Sequence, residues 1–373
     1  MIVAENVKAK LLLTILGLLV LAPEAFSQDG TMYRHNVGFT ALKGLIVPQY
    51  EHGRHLTYGR PSGFELFYNH QSRGEKEREV ILGLPQNGFS LTYIDTDMEE
   101  TGYIVNGAAY LDFFFVRKRK FRSFFRLGAG LTYASKIYDP VDNNLNNILS
   151  SRISYHALVR LGTMINLSEQ WLLTPAVSWN HTSNGSSSLP NNGLNIASFN
   201  LGVAYQFAPS ERVSEEQMEP ALVDEGFGYS LLISGAAKQS EPMGNPKRLY
   251  MTVRGTMDWS INKVSRLFWG VELFNDRTIL DDIRREGGDP KNIDHRRIGL
   301  LIGHEFRISR ASFISAIGYY VYKPFDGELD DDPAIYNRLG LQYYFHKNFF
   351  ATAMMKNHWA QADVFDFGLG VRL

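Results

Sequence analysis

The chain has no cysteine among its 373 residues. That excludes disulfide staples, thiolate metal sites, a cysteine nucleophile and a lipid-anchored N-terminal cysteine. An excess of either charge is also missing. Lys and Arg number 38 against 39 Asp and Glu, a net charge of -1. No basic field points to nucleic acid, and none is expected as a partner. Long apolar runs are missing as well. The nearest to one is "LLLTILGLLVLA" (11–22), which follows Lys8 and Lys10 and precedes the small residues of "AFSQ" (25–28). It is short for a membrane helix and reads as an export signal over residues 1–27, with a retained N-terminal anchor as the alternative. An exported chain without membrane helices is either soluble or a β-barrel.

What is present favours strands. The sequence holds 24 Phe, 19 Tyr and 33 Gly, a mix suited to strands and tight turns. Beyond about residue 35 polarity alternates with period two. In "FRSFFRLGAGLTY" (121–133), Phe121, Phe125, Leu127, Leu131 and Tyr133 share one face, while Arg122, Arg126, Gly128 and Thr132 share the other. In "RISYHALVRLG" (152–162), Ile153, Tyr155, Val159 and Leu161 oppose Arg152, His156 and Arg160. Strands expected near 36–48, 61–71, 87–96, 102–116, 121–136, 150–166, 170–183 and 193–207 precede a polar linker, 208–225. Others follow near 226–239, 247–260, 266–277, 295–308, 311–323, 335–346, 348–359 and 362–373.

One face apolar with aromatics toward its ends, the other charged or small, strand after strand, is the pattern of strands between lipid and a polar lumen. The expected fold is all-β, an antiparallel transmembrane β-barrel of the outer membrane. Residues 28–207 would form an eight-stranded first unit and 226–373 a related second unit, and the alternative is a single barrel of about sixteen strands. The segment 156–181 can be laid on 335–358, and 199–207 on 365–373, as an ancient duplication or as the common look of barrel hairpins. Glu65, Asp112, Arg126 and Arg160 face the lumen and suit either a packed small barrel or a channel wall. If strand one rises from the periplasm, the turn after the seventh lies outside the cell. The long 72–86 connection then sits on the side where turns should be short.

That seventh strand ends in "WNHTSNG" (179–185). Leu173, Val177, Trp179, His181 and Ser183 share its apolar face, and Asn195 lies on the apolar face of the next strand. Polar groups toward lipid are expensive. An enzyme whose substrate is itself in the membrane has a reason to place them there.

"NHTSNG" followed by "LPNNGLN" resembles the His-x-Ser-Asn motif of the PagL-type lipid A 3-O-deacylases, most closely over 155–207. The longer chain and "GAGLTYASKIYDPVDNN" (128–144) are similar to larger acyloxyacyl hydrolase relatives of Bacteroidetes. The resemblance implies an eight-stranded outer-membrane barrel that hydrolyses an acyl ester of lipid A on its outer wall. By position it makes Ser183 the nucleophile and His181 the general base. Asn184, with Gly185, would position substrate or hold the oxyanion. The family's acidic third residue falls on Asn195, a departure. An Asn carbonyl can orient the imidazole but brings no negative charge. The bland reading makes Ser183 and His181 an interfacial pair that bonds lipid headgroups, and Asn195 a turn residue.

Other candidates are weaker. His358 aligns with His181, but no serine follows two residues later and its parity points inward, so the second half reads as structural. His52 and His55 lack a third ligand, and His295 and His304 differ in parity. "DPVDNN" (139–144) and "DGELDDD" (326–332) could take Ca²⁺ but fit solvated loops better. "NHT" (180–182) is a glycosylation acceptor of little meaning in a bacterial outer membrane. No metal and no cofactor are expected. The expected function is an outer-membrane esterase acting on lipid A. The alternatives are a non-enzymatic barrel (pore, transporter or surface-binding protein) and a secreted lectin-like sandwich.

Overall fold

The computed structural model describes residues 32–49, 51–220, 226–325, 327, 332–358 and 361–373, so the expected export signal lies outside the described residues. Sixteen strands follow in order. The first eight are β1 (Met32–Ile46), β2 (Ser62–Gln71), β3 (Gln86–Asp95), β4 (Tyr103–Arg117), β5 (Phe121–Ala134), β6 (Ile153–Asn166), β7 (Trp171–Ser183) and β8 (Leu194–Ser210). The second eight are β9 (Phe227–Lys238), β10 (Arg248–Asn262), β11 (Ser265–Asp276), β12 (Arg296–Arg307), β13 (Ala311–Tyr322), β14 (Ile335–Tyr344), β15 (Phe349–His358) and β16 (Gln361–Arg372).

They form two closed antiparallel barrels, β1–β8 and β9–β16. β1 closes on β8 from Met32↔Ser210 to Ile46↔Ile196, and β16 closes on β9 from Phe367↔Gly235 to Arg372↔Ser230. The single sixteen-stranded alternative is thereby excluded. Each closure removes the sheet edge that lipid could not satisfy. The segments 156–181 and 335–358 occupy the sixth and seventh strands of their barrels, and 199–207 and 365–373 the eighth. β8 runs on to Ser210, so the linker begins later than the sequence suggests.

The period-two pattern becomes an inside and an outside. Along β4, Ile104, Asn106, Tyr110 and Asp112 are buried, while Tyr103 and Phe115 are exposed. Phe39, Leu66, Phe89, Leu131, Val177 and Phe199 stand exposed around the first barrel, and Ile233, Leu273, Ile302, Ile317 and Leu369 around the second. Water would not tolerate apolar bands of this extent, whereas lipid does.

Both lumens are filled. In the first, Glu65 takes a bidentate bond from Arg160 (2.7 and 2.8 Å), and Asp112 one from Arg126 (2.6 and 2.9 Å), whose guanidinium lies 3.5 Å from the Tyr110 ring centroid. In the second, Arg338 bridges Glu272 (2.9 Å) and Asp366 (2.7 Å). Desolvating such charges costs several kcal/mol per ion, a cost offset roughly only by close pairs of this kind. The interior charges therefore belong to packed small barrels rather than to a channel wall.

The chain enters and leaves both barrels at the same end. There the anomalous 72–85 connection has an occupation. It carries a short helix, α1 (Glu77–Ile81), and bridges the inter-barrel linker through Lys76↔Glu219 and the Glu77 N–H to the Glu219 carbonyl (3.0 Å). Arg78 donates to the carbonyls of Lys263 (2.9 Å) and Ser309 (3.1 Å), in two turns of the second barrel, and Lys263 pairs with Glu77. The long connection thus ties the two barrels together at this end. At the opposite end, loop 135–152 folds over the first barrel's mouth, where Ile148 and Leu149 join Leu42, Leu56, Ile94, Ile104, Leu194 and Ile196 in one apolar cluster.

Candidate active site

β7 is tied on one side to β6 and on the other to β8, and this register builds the site. Tyr155 is the cross-strand partner of Ser183, and Ala157 and Asn195 those of His181. All are outward positions by parity, as the sequence requires. The His181 ring Nδ1 and the Asn195 side-chain oxygen lie 2.6 Å apart. A carbonyl oxygen can only accept, so this bond places the proton on Nδ1 and leaves Nε2 with its lone pair. Gly193 has φ +71°, and a side chain there would press on His181 Cε1 at 3.0 Å. Only glycine combines that backbone with that clearance.

Ser183 Oγ accepts two hydrogen bonds, from Asn191 Nδ2 (2.9 Å) and from the Gly185 N–H (3.3 Å). Among the described residues no acceptor takes its proton, and no hydrogen bond joins it to His181. Catalytic bonds of this kind are commonly long in a free enzyme and tighten on substrate. Although it faces outward, Ser183 is only 7% exposed and Asn195 6%, so both are screened from water.

The turn 184–193 makes the screen. Asn184 Nδ2 donates to Ser150 Oγ (3.0 Å), Ser151 Oγ (3.1 Å) and the Ser188 carbonyl (2.9 Å), while its backbone N–H donates to Asn191 Oδ1 (3.1 Å). Every donor of Asn184 is thus spent on shaping the turn and tying it to the mouth loop. Asn191 uses both ends of its amide, one on the Asn184 backbone and one on Ser183. The N–H groups of Asn192 and Gly193 donate to the carbonyls of Asn147 (3.2 Å) and Ile148 (3.2 Å).

The structure thus brings His181, Ser183, Asn195 and Gly185 together and sets Asn184 behind them as a brace. Sequence reasoning missed Asn191 and Tyr155. Asn191 reads as one of two turn asparagines, and no spacing distinguishes it. Parity puts Tyr155 on the outward face, but only register sets it beside Ser183.

The remaining candidates do other work. His358 is buried and bonds Tyr320 Oη (3.2 Å) and Asp332 (2.9 Å). His55 holds the Leu145 carbonyl (2.9 Å), and His295 is 2.9 Å from Asn275 Oδ1. The His52 side chain and most of 326–332 lie outside the described residues. Asp139 accepts the N–H groups of Asp142 (2.9 Å) and Val141 (2.8 Å), which hold its carboxyl below the usual range. Asp332, His358 and Asp363 form a group with metal-ligand spacing, but Lys238 and Lys356 already sit 2.5 Å from the two oxygens of Asp363.

Two family models match the chain. Residues 62–204 match the lipid A 3-O-deacylase (PagL) model, and residues 227–373 the C-terminal domain of acyloxyacyl hydrolase. No curated protein matches. Among solved structures the chain is similar to Neisserial surface protein A (11% identity, TM-score 0.35, covering 48% of this chain and 100% of that one). It is also similar to Ail, the attachment invasion locus protein of Yersinia pestis (16% identity, TM-score 0.29, covering 47% and 100%).

Proposed function

Because the chain belongs to the lipid A 3-O-deacylase family, an outer-membrane esterase family with lipid A as substrate, we propose that it removes the 3-O-linked acyl chain with Ser183 as nucleophile and His181 as general base. The observation that carries this reading is one residue pair on the outer wall of the barrel. His181, its Nδ1 bonded to Asn195, presents Nε2 on the same face as a serine whose oxygen already has two donors aimed at it.

The chemistry follows from those atoms. Ser183 Oγ attacks the ester carbonyl as its proton passes to His181 Nε2. The carbonyl oxygen becomes an oxyanion, which the Gly185 N–H and Asn191 Nδ2 stabilise by a small shift from Oγ. Asn184, with its donors engaged elsewhere, keeps the turn in shape. Collapse breaks the bond to the sugar oxygen, which leaves with the proton from His181. Water, deprotonated by His181, then cleaves the acyl-serine, releasing a fatty acid and restoring Ser183. Asn195 holds the ring in the tautomer these steps need. The outward placement brings the lipid ester to the site by lateral diffusion, and in the second barrel the residue two after His358 is Ala360 rather than a serine. Mass spectrometry of lipid A from cells making wild type or Ser183→Ala tests the reading. Loss of one ester-linked chain with wild type alone is expected, and identical lipid A from both would overturn it.

A further inference from the structure

The turn that follows Ser183 is not held by the first barrel alone. Gly185 and Ser186 have φ of +60° and +61°. A serine in that region is uncommon and persists where its surroundings fix it. At Ser186 those surroundings belong to the second barrel. Its carbonyl accepts the Gln239 N–H (3.0 Å), and its Oγ donates to the Ala362 carbonyl (3.2 Å). Gln239 continues the clamp with its side chain, whose oxygen accepts the Leu189 N–H (2.8 Å) and whose nitrogen donates to the Asn245 carbonyl (2.7 Å). The Gly185 carbonyl accepts the Phe365 N–H (3.3 Å), and a Cβ on Gly185 would stand 2.5 Å from Phe365 Cβ. Phe365 also stacks on Tyr155, the cross-strand neighbour of Ser183, at 3.9 Å and 21° between rings.

We propose that the second barrel completes the active site. Through Phe365 and Gln239 it fixes the 185–189 turn, so that the Gly185 N–H stays aimed at Ser183 Oγ. Phe365 and Gln239 are then positioning residues for hydrolysis, a role that rests on Ser183 being the nucleophile. Simple packing of two barrels would not concentrate contacts on the one strained segment that adjoins the nucleophile. The barrels have a separate attachment at their far end, where Arg78 and Glu77 meet Lys263. That attachment supplies the control.

The test uses full-length protein: wild type, Ser183→Ala, Phe365→Ala, Gln239→Ala, Phe365→Tyr and, for the far clamp, Glu77→Ala. Heat-modifiable migration verifies folding. Two readouts are taken: kcat and KM on detergent-dispersed lipid A, and the rate at which a fluorophosphonate phosphonylates the serine oxygen with loss of fluoride. Phe365→Ala and Gln239→Ala are expected to lower kcat and labelling about tenfold with KM within about twofold, as misplacement of a reacting group does. Phe365→Tyr restores both rates and Glu77→Ala leaves them unchanged. Wild-type kcat and labelling in both alanine variants would overturn the proposal, as would an equal loss in Glu77→Ala. If Ser183→Ala is itself labelled and active like wild type, the nucleophile assignment fails and this inference falls with it.

Discussion

The two barrels end their seventh strands on the same residue type and use it in opposite ways. In the first, β7 carries His181 on an outward position opposite Asn195, and a ten-residue turn, 184–193, follows Ser183. In the second, β15 carries His358 on an inward position, bonded to Tyr320 and Asp332, and only residues 359–360 separate it from β16. One step of parity decides whether a histidine meets lipid or joins the packed lumen. The long turn supplies the amide and backbone donors that a short one cannot. The second barrel keeps the hairpin as a surface, and its β16 lies against the turn that follows Ser183 in the first.

The comparison breaks most decisively at the histidines. Ser183→Ala and His181→Ala should each reduce fatty-acid release to background, a loss on the order of a thousandfold or more. His358→Ala should hydrolyse like wild type, because it touches neither Ser183 nor the turn. Mass spectrometry of released acid, with heat-modifiable migration as the folding check, reads both. Equal losses in the two barrels would erase the distinction.

The turn comes next. Asn191→Ala removes one donor from Ser183 Oγ and unpins the Asn184 N–H. Losing an oxyanion donor costs about 3 kcal/mol of barrier, so kcat should fall by about a hundredfold with KM little changed. An unchanged kcat would leave Asn191 a mere turn residue.

Asn195 sharpens the contrast further. Asn195→Ala frees the His181 ring and should cost roughly ten- to a hundredfold in turnover, less than the about ten-thousandfold of a wrong tautomer in a serine protease. Asn195→Glu should match or exceed wild type by adding a charge-assisted bond to the imidazolium. Turnover of both in one detergent with one lipid A decides it. Wild-type activity in Asn195→Ala would mean that the orienting group lies elsewhere.

The smallest expected effect is none. EDTA should leave hydrolysis of detergent-dispersed lipid A unchanged, since neither barrel's histidine hairpin needs an ion for the proposed chemistry. A loss reversed specifically by Ca²⁺ would count against the mechanism.

The sequence was informative wherever the physics is local. Alternation across Phe121–Tyr133 and Ile153–Leu161 set which side chains meet lipid, and strand boundaries followed to within a few residues. Parity alone put His181, Ser183 and Asn195 on one face. The same alternation could not say whether sixteen strands close once or twice, because closure depends on which strand meets β1, and period two is identical in either case. Asn184 spends its donors within the turn and on the mouth loop while Asn191 reaches Ser183, because donors in an irregular turn are assigned by its three-dimensional path rather than by order in the chain. The length of the 72–85 connection makes sense only beside the second barrel, where Arg78 and Glu77 meet Lys263. Phe365 and Gln239 carried no sequence signal at all: they lie far along the chain from Ser183. Only the packing of one closed barrel against another, which no local pattern encodes, brings them to it.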